Sequence, residues 1–387
     1  MESSSKKFHG TVLPFAPLRR SNVVDPALTA RDRGCLAVGF VMPRTVGYPM
    51  TDTNLQVILT GRPAPAVTAD LFALQEAPTP VPGPGQCLIK TLYLSLEPAM
   101  RGWIAEQANY QEPVPLGAVM TGFTVGEVTA SDHPDYAVGD LVMGRQGWQS
   151  FAVSDGADIV RKLDPDLAPV ETALGPLGIN GVTAYVGLVE ICAPKAGETV
   201  VVTTGAGAVG SVVGQLAKAL GCRTVALTGS DDKVAACLEV FGYDAAINYK
   251  TVDDLPAALA AATPEGVDCF FDNVGGAQFD AIVDRLNVGG RVAICGTIAM
   301  PSFPLPTGPR VNRQLLIKRA RMEGFLVLDH LDRFDELADK LAEFYRAGQI
   351  DYRVDLADGL AAAPAALVRL LAGENTGKAL VRVGAPA

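Results

Sequence analysis

The sequence predicts an α/β chain in which a doubly wound parallel sheet follows a twisted, β-rich segment. Three observations carry this. Between residues 174 and 344, apolar runs of strand length alternate with stretches of helical spacing, which specifies a parallel sheet covered by helices on both faces. From about 54 to 170 the runs are short, β-branched or aromatic, and cut by Gly, Pro and Asp. At the first strand-to-helix joint of the alternating block stands Gly205-Ala206-Gly207-Ala208-Val209-Gly210.

The elements follow in order. In the β-rich part the runs Gln86–Leu96, Ala118–Ser131 and Asp140–Ser154 read as strands, with turns at Pro82–Gln86 and His133–Asp140. Leu177–Cys192 has helical spacing. Glu198–Gly205 is then a strand, Ala208–Gly221 a helix closed by a glycine, Arg223–Gly229 a strand and Asp231–Gly242 a helix. DAAINY, VDCFFDNVG and RVAICGTI continue the strands. Arg333–Gly348 is an amphipathic helix, IDYRVDLAD a strand, LAAAPAALVRLLAG a helix with an internal Pro364, and Lys378–Val383 a last strand.

Composition narrows the function. A chain of 387 residues, 49% hydrophobic, is too long for one ordinary core and long enough for two. Its formal net charge of -10 repels phosphate backbones, and the one dense basic cluster, Lys318–Arg321, reads as a solvated face, so no nucleic-acid partner is expected. No apolar stretch reaches about 18 residues, so no membrane span is expected either. The seven cysteines are odd in number, scattered and without a CxxC pair, which fits a reducing, cytoplasmic setting. Residues 1–49 carry prolines and charges where a signal peptide needs an apolar run, and MTDTNLQVILTGRP from Met50 reads like a start. They are expected to be a disordered extension or an over-long start, with a transit-like leader the weaker alternative.

The glycine motif alone decides little: with 40 glycines in 387 positions, three at this spacing arise by chance roughly 0.4 times per chain. Its context decides, because it follows an apolar strand directly and opens a helix. Gly205 is expected to permit the tight turn, Gly207 to let the backbone approach a pyrophosphate, and Gly210 to let helix and strand pack closely. The helix start then faces the anion with its N–H groups and dipole. This is expected to be a Rossmann dinucleotide site, the alternative being a structural glycine turn. No carboxylate stands at the tip of the second strand, where Gly229 and Ser230 leave room and Lys233 follows, which favours NADP(H) over NAD. Asp231 and Asp232 argue the other way, unless they serve only the helix N-terminus.

Three histidines, His9, His133 and His330, have no cysteine or carboxylate partners at ligand spacing, so no metal site is expected. No GxSxG elbow offers a nucleophilic serine. Hydride transfer without a metal suits an α,β-unsaturated carbonyl: hydride adds to the β-carbon and an enolate develops on oxygen. The enzyme then has to orient the enone, stabilise the oxyanion and let a proton reach the α-carbon.

The strings LYLSLEPAMRGWI (Leu92–Ile104), NYQEPVPLG (Asn109–Gly117), GAVGSVVGQLAKALGC (Gly207–Cys222), GSDDK, INYK, FDNVGG, ICGTI and ENTGKALVRV resemble the zinc-free medium-chain dehydrogenase/reductases, in the branch of prostaglandin, alkenal double-bond and curcumin reductases. The resemblance covers about Asn54 to Val383. It implies a GroES-like catalytic domain at 50–173 and 345–387 and a Rossmann NADP-binding domain at 174–344, with a homodimer as the working form. It implies that Gly207, Ala208, Val209 and Gly210 wrap the pyrophosphate and that Lys233 and Tyr249 hold the 2′-phosphate, although Tyr249 also reads as a strand-end core aromatic. It further implies that Asn273 lies near the dinucleotide, that Cys295, Gly296, Ile298, Phe325 and Val327 line the nicotinamide side, and that Asn375 reaches the cofactor from the C-terminal segment. Cys295 reads as a small packed residue, not a reactive thiol.

The sequence also departs from the family. Ala99 stands where the family commonly has a tyrosine, and Pro301-Ser302 replace a Tyr-Asn pair. Trp103 is larger than the pattern and is expected to narrow the cleft. Tyr110 occupies the position of a third tyrosine and is left as the hydroxyl to touch substrate or assist protonation; the alternative is a loop tyrosine packed on the rim. The implied function is NADPH-dependent reduction of the double bond of an enone or enal. A quinone reductase, and an NADP(H)-binding protein with little catalysis, are the alternatives.

Overall fold

The alternating pattern after Asn54 resolves into short strands around one hub. A computed structural model of the chain describes residues 53–300 and 306–384; the expectation for 1–49 and the Pro301-Ser302 replacement lie outside the described residues. Strands β1 (Thr53–Leu59) and β2 (Phe72–Pro78) pair antiparallel. The hub is β3 (Cys87–Ser95), whose inward side chains Cys87, Ile89, Leu92 and Leu94 are fully buried. After it come the single turn α1 (Met100–Trp103) and the strands β4 (Thr124–Ser131), β5 (Leu141–Gly144), β6 (Phe151–Ser154) and β7 (Ile159–Leu163). Two strand expectations are corrected here. The run Ala118–Ser131 enters the ladder only at Thr124, and Asp140–Ser154 is two strands. Between those two strands the chain leaves the ladder, so that Trp148 reaches the interior and stacks on Phe72 at 5.3 Å between ring centroids.

The expected helix over Leu177–Cys192 is also corrected. It is α2 (Ile179–Tyr185) followed by a π-helical turn over Val186–Cys192. The wider turn makes room: a side chain at Gly187 would stand 2.4 Å from the Phe271 ring and 2.8 Å from Phe325.

The alternating block then runs β8 (Thr199–Thr203), α3 (Ala208–Ala219), β9 (Arg223–Thr228), α4 (Asp231–Glu239), β10 (Ala245–Asn248), α5 (Leu255–Ala262), β11 (Val267–Asp272), α6 (Gly276–Val283), β12 (Leu286–Ile294), α7 (Asn312–Lys318) and β13 (Arg321–Gly324). Among the described residues the strands form one parallel sheet in the order β10-β9-β8-β11-β12-β13. All five residues of β8 are buried, as a strand covered on both faces requires. The order reverses between β8 and β11, and the crevice beyond the carboxyl ends of those strands is where such a sheet takes a ligand. This Rossmann-like sheet and a separate β-rich domain are the architecture the sequence predicts.

The chain then returns. Helix α8 (Phe334–Arg346) buries Phe334, Leu337, Ala338, Leu341 and Ala342, one stripe at helical spacing. Strand β14 (Val354–Asp358), α9 (Ala363–Leu371) and β15 (Lys378–Arg382) follow. Pro364 stands in the first turn of α9, where its missing N–H costs nothing, and not inside the helix as expected. Strand β15 pairs antiparallel with β3 (Leu380 opposite Ser95) and parallel with β14, so the last strand belongs to the β-rich sheet.

One peptide joins the two sheets. The Gly377 N–H donates to the Ala206 carbonyl at 2.8 Å, and Gly377 bridges Gly207. Gly377 has φ 78°, and a Cβ there would stand 2.2 Å from the Arg353 carbonyl oxygen. Gly348 has φ 67° with nothing within 4 Å of the same position. Gly348→Ala is expected to cost about 1–2 kcal/mol from left-handed backbone strain alone. Gly377→Ala is expected to cost clearly more, because a clash adds to the strain. Urea midpoints of the two variants check this, and equal losses would contradict it.

Candidate active site

The phosphate turn is built from β8 into α3. The left-handed residue is Thr204 at φ 58°, which corrects the expectation that Gly205 makes the tight turn. Gly205 is buried instead: its N–H donates to Leu227 at 3.0 Å, and a Cβ would lie 2.5 Å from that of Ala226. Gly210 has the role expected of it, since a Cβ there would meet the Thr204 carbonyl oxygen at 2.2 Å. Gly207, Ala208 and Val209 form a partly exposed rim. No side chain caps the start of α3 and no acidic residue stands in its first turn, so its N–H groups and dipole are open to an anion. By contrast α4 is capped by Ser230 and carries Asp231 and Asp232 in its first turn.

The tip of β9 has a different chemistry. A Cβ on Gly229 would stand 3.1 Å from the Tyr249 hydroxyl, 3.1 Å from Lys250 Cε and 3.4 Å from Lys250 Nζ, so these groups converge over bare backbone. Lys233 comes to the same corner. Burial, and then the repulsion of Lys250, push its ammonium pKa down, while its Nζ donates to the Gly373 carbonyl at 2.6 Å. Among the described residues no carboxylate lies within ion-pair distance of Lys233 or Lys250. Asp231, the candidate for a ribose hydroxyl, accepts from Asn248 Nδ2 at 2.7 Å. Two neighbouring cations, neither in an ion pair among the described residues, fit a phosphate. Within INYK the sequence signals Tyr249 but not Lys250, next in the chain, which carries the second charge.

At the switch point the ends of β8 and β11 are locked together. Thr203 Oγ1 donates to Asp272 at 2.9 Å and accepts from the Asn273 N–H at 2.8 Å, and Asn273 Nδ2 donates to the Thr203 carbonyl at 2.8 Å. Burial pushes the Asp272 carboxyl pKa up, against the N–H groups of Val274 and Gly275 and the Thr203 hydroxyl, which hold it down. The N–H groups of Cys295 and Gly296 both donate to the Asp272 carbonyl, which fixes the end of β12 beside Asn273. Burial pushes the Cys295 thiol up to about 12, in keeping with a packed residue. Phe325 meets Phe271 edge-on at 6.2 Å, and Val327 follows at the start of a 3-10 turn, both partly exposed. Asn375 is brought to the phosphate turn by the Gly377 bridge, but its Nδ2 is turned back onto the Gly377 carbonyl at 2.9 Å.

The β-rich half supplies the other wall. Arg101 of α1 donates to the carbonyls of Ile298 at 2.7 Å and Met300 at 3.1 Å, closing that half onto the loop after β12. Trp103 does not narrow the cleft as expected. It is 4% exposed, and its Nε1–H donates to the Tyr110 hydroxyl at 2.9 Å. An indole N–H only donates, so Tyr110 oxygen is the acceptor and its own proton stays free for another partner. Tyr110 is 44% exposed and lies within electrostatic reach of Glu97, Arg145 and Cys295. Burial of the hydroxyl end holds its pKa above the ordinary value, against the pull of the Trp103 bond. The phenol is therefore a protonated donor at neutral pH. Nothing in the sequence pattern signalled the Trp103–Tyr110 bond, which depends on how the loop after α1 folds back.

Among the described residues no group of three or more His, Cys, Asp or Glu side chains gathers where it could hold a metal ion. No described helix is long and apolar enough to cross a membrane.

Comparison with known proteins agrees with this geometry. Residues 55–161 match the family model described as the N-terminal domain of oxidoreductase, and residues 208–343 the one described as zinc-binding dehydrogenase. The chain is 40% identical over 336 residues to the NADPH-dependent curcumin reductase of Escherichia coli (strain K12), covering 85% of this chain and 97% of that protein. It is 40% identical over 302 residues to the 2-alkenal reductase (NADP(+)-dependent) of Nicotiana tabacum, covering 78% and 88%. The crystal structure of CurA in complex with NADPH from Vibrio vulnificus superposes with a TM-score of 0.81 at 40% identity, covering 86% of this chain and 100% of that one. Despite the wording of the second model, no zinc ligand set is found among the described residues. The chain belongs to the zinc-free branch of the medium-chain dehydrogenase/reductase family.

Proposed function

We propose that the chain reduces the carbon–carbon double bond of α,β-unsaturated ketones or aldehydes, with NADPH as the hydride source. The observation that carries this reading is the Tyr110 phenol, held by Trp103 with its proton free, on the wall opposite the end of β12. The printed activities of the curcumin and 2-alkenal reductases support it. In this reading Gly207, Ala208, Val209 and Gly210 hold the pyrophosphate, and Lys233, Tyr249 and Lys250 the 2′-phosphate. Asn273, Cys295, Gly296, Ile298, Phe325 and Val327 flank the nicotinamide, and the backbone around Asn375 backs the phosphate turn. Bound NADPH supplies the hydride to the β-carbon. Tyr110 donates its hydrogen bond to the substrate oxygen, where enolate charge builds, and a proton then reaches the α-carbon from the phenol or from water. Arg101 keeps the two walls together. A cytoplasmic location goes with this reading, supported by described cysteines that are all free.

We also infer a homodimer formed along β13, the edge strand of the parallel sheet, beside the exposed Leu316 and Ile317 of α7 at 77% and 50%. An unpaired edge next to apolar side chains favours pairing with a second copy.

Five expectations follow from these assignments. NADPH oxidation measured against NADH, with a short 2-alkenal, a long-chain enone, a phenylpropenal and a quinone, is expected to give an alkenal or enone turnover that prefers NADPH and a product saturated at the carbon–carbon bond. Lys250→Ala is expected to raise the NADPH KM about 10-fold or more and to leave the NADH KM nearly unchanged. Tight NADPH binding without turnover on the whole panel would sink the reading, and turnover of the quinone alone would replace it. Tyr110→Phe is expected to lower kcat about 100-fold with NADPH affinity retained. Trp103→Phe removes a bond that lowers the phenol pKa, so the alkaline limb of its kcat profile is expected to move to higher pH; an unmoved limb would remove Trp103 from the positioning of Tyr110. Sedimentation is expected to give twice the chain mass, falling to the single chain in Leu316→Glu/Ile317→Glu, and a monomeric wild type would refute the edge pairing.

A further inference from the structure

The arginines of the β-rich half are almost all accounted for. Arg161 pairs with Asp335 and Asp339, Arg382 with Asp358, and Arg101 takes two backbone carbonyls. Arg145 is different. It directly follows β5, its backbone N–H is fixed by the Asp158 carbonyl at 2.9 Å, and the next side chain, Gln146, is buried and bonded to Thr124 and Asp158. The guanidinium lies over the Phe123 ring at 5.5 Å from its centroid. Its one side-chain hydrogen bond among the described residues is a long one, 3.4 Å, to Gln111 Oε1, and no carboxylate there lies within ion-pair distance.

Position gives this arginine its meaning. Gln111 is the residue after Tyr110, so the guanidinium stands near the phenol proposed to face the reacting oxygen; burial raises the pKa of that phenol and the guanidinium charge acts to lower it. Arg145 is partly buried, and that burial pushes its pKa down without removing its charge, since a guanidinium stays protonated in proteins. A partly desolvated cation with most of its five N–H donors unused is costly to keep unless an anion arrives. An aromatic floor, a planar fork and a single positive charge match a planar monoanion that accepts two parallel N–H bonds, which is a carboxylate.

We propose that Arg145 anchors a carboxylate carried by the substrate, so that the substrate class is an enone or enal acid and not a neutral enone. This rests on the reading that the chain reduces activated double bonds with Tyr110 at the carbonyl oxygen. The acid end binds the Arg145 fork over Phe123, and the unsaturated carbonyl is thereby held in one orientation against Tyr110. Arg145 is thus a specificity-determining residue that reads a part of the substrate which does not react.

The test uses a series of straight-chain enones of different lengths, each with a terminal carboxylate and each paired with its methyl ester. The readout is the acid-to-ester ratio of kcat/KM with NADPH. Wild type is expected to prefer the acid by about 10- to 100-fold at one chain length, as for a charge-assisted pair, and added salt is expected to reduce that ratio. Arg145→Gln is expected to bring the ratio to about 1, and Arg145→Lys to retain part of it. Calorimetric binding of the saturated keto acid, strong in wild type and weak in Arg145→Gln of matching thermal midpoint, gives a readout that needs no turnover. Esters used as well as acids, or a ratio kept by Arg145→Gln, would overturn the anchor and leave the reductase reading standing. No turnover of either form, or of any neutral enone, would overturn both.

Discussion

The buried pair of Lys378 and Glu97 is the contact on which the geometry of the cleft depends. Lys378 is 2% exposed, and its ammonium donates to Glu97 Oε1 at 2.6 Å and to the Leu96 carbonyl at 3.0 Å. Glu97 also accepts from Ser95 Oγ at 2.6 Å and from Asn180 Nδ2 at 3.2 Å. The pair therefore gathers β15, the end of β3 and α2. Desolvating two charges costs several kcal/mol per ion, and only such a set of additional bonds offsets it; removing one partner from a buried pair typically costs about 3–5 kcal/mol. One residue earlier, Gly377 holds the phosphate turn. Two consecutive residues thus fix the parallel sheet and the β-rich sheet relative to each other. Tyr110 lies within electrostatic reach of Cys295, just past the end of β12.

Much of this was legible in the sequence, and the reasons are local. The parallel sheet declared itself because β8 and its neighbours have apolar centres and the glycine motif lies at the joint between β8 and α3, where backbone sterics leave few alternatives. Gly210 was readable for the same reason. Gly205 was misassigned because the sequence shows which residue lacks a side chain, not which residue takes the left-handed backbone; that one is Thr204. The π-helical turn after α2 was invisible because the rings beside Gly187, Phe271 and Phe325, are distant in sequence.

The site divides in the same way. Gly207, Lys233, Asn273 and Cys295 lie at ends of strands or starts of helices whose positions follow from the alternation. Their neighbours across the cleft do not, because Trp103, Tyr110 and Arg145 sit on turns and loops of the β-rich half that are positioned only by long-range packing. Trp103 looked like bulk in the cleft and is a buried donor instead. Lys250 carries no sequence signal of its own; its convergence with Tyr249 over Gly229 exists only in three dimensions.

The burial of the cysteines acquires a meaning from the chemistry proposed. Cys87, Cys192, Cys222, Cys237 and Cys269 are buried, and burial pushes the thiols of Cys222 up to about 11 and of Cys237 and Cys295 up to about 12. Unsaturated carbonyls alkylate sulfur, and they do so through the thiolate. In the proposed reading Cys295 flanks the nicotinamide, where such compounds would enter. Burial pushes its thiol up to about 12, which keeps it in the protonated, unreactive form at neutral pH. If the proposed chemistry holds, thiols kept protonated by burial would spare the protein alkylation by its own substrates.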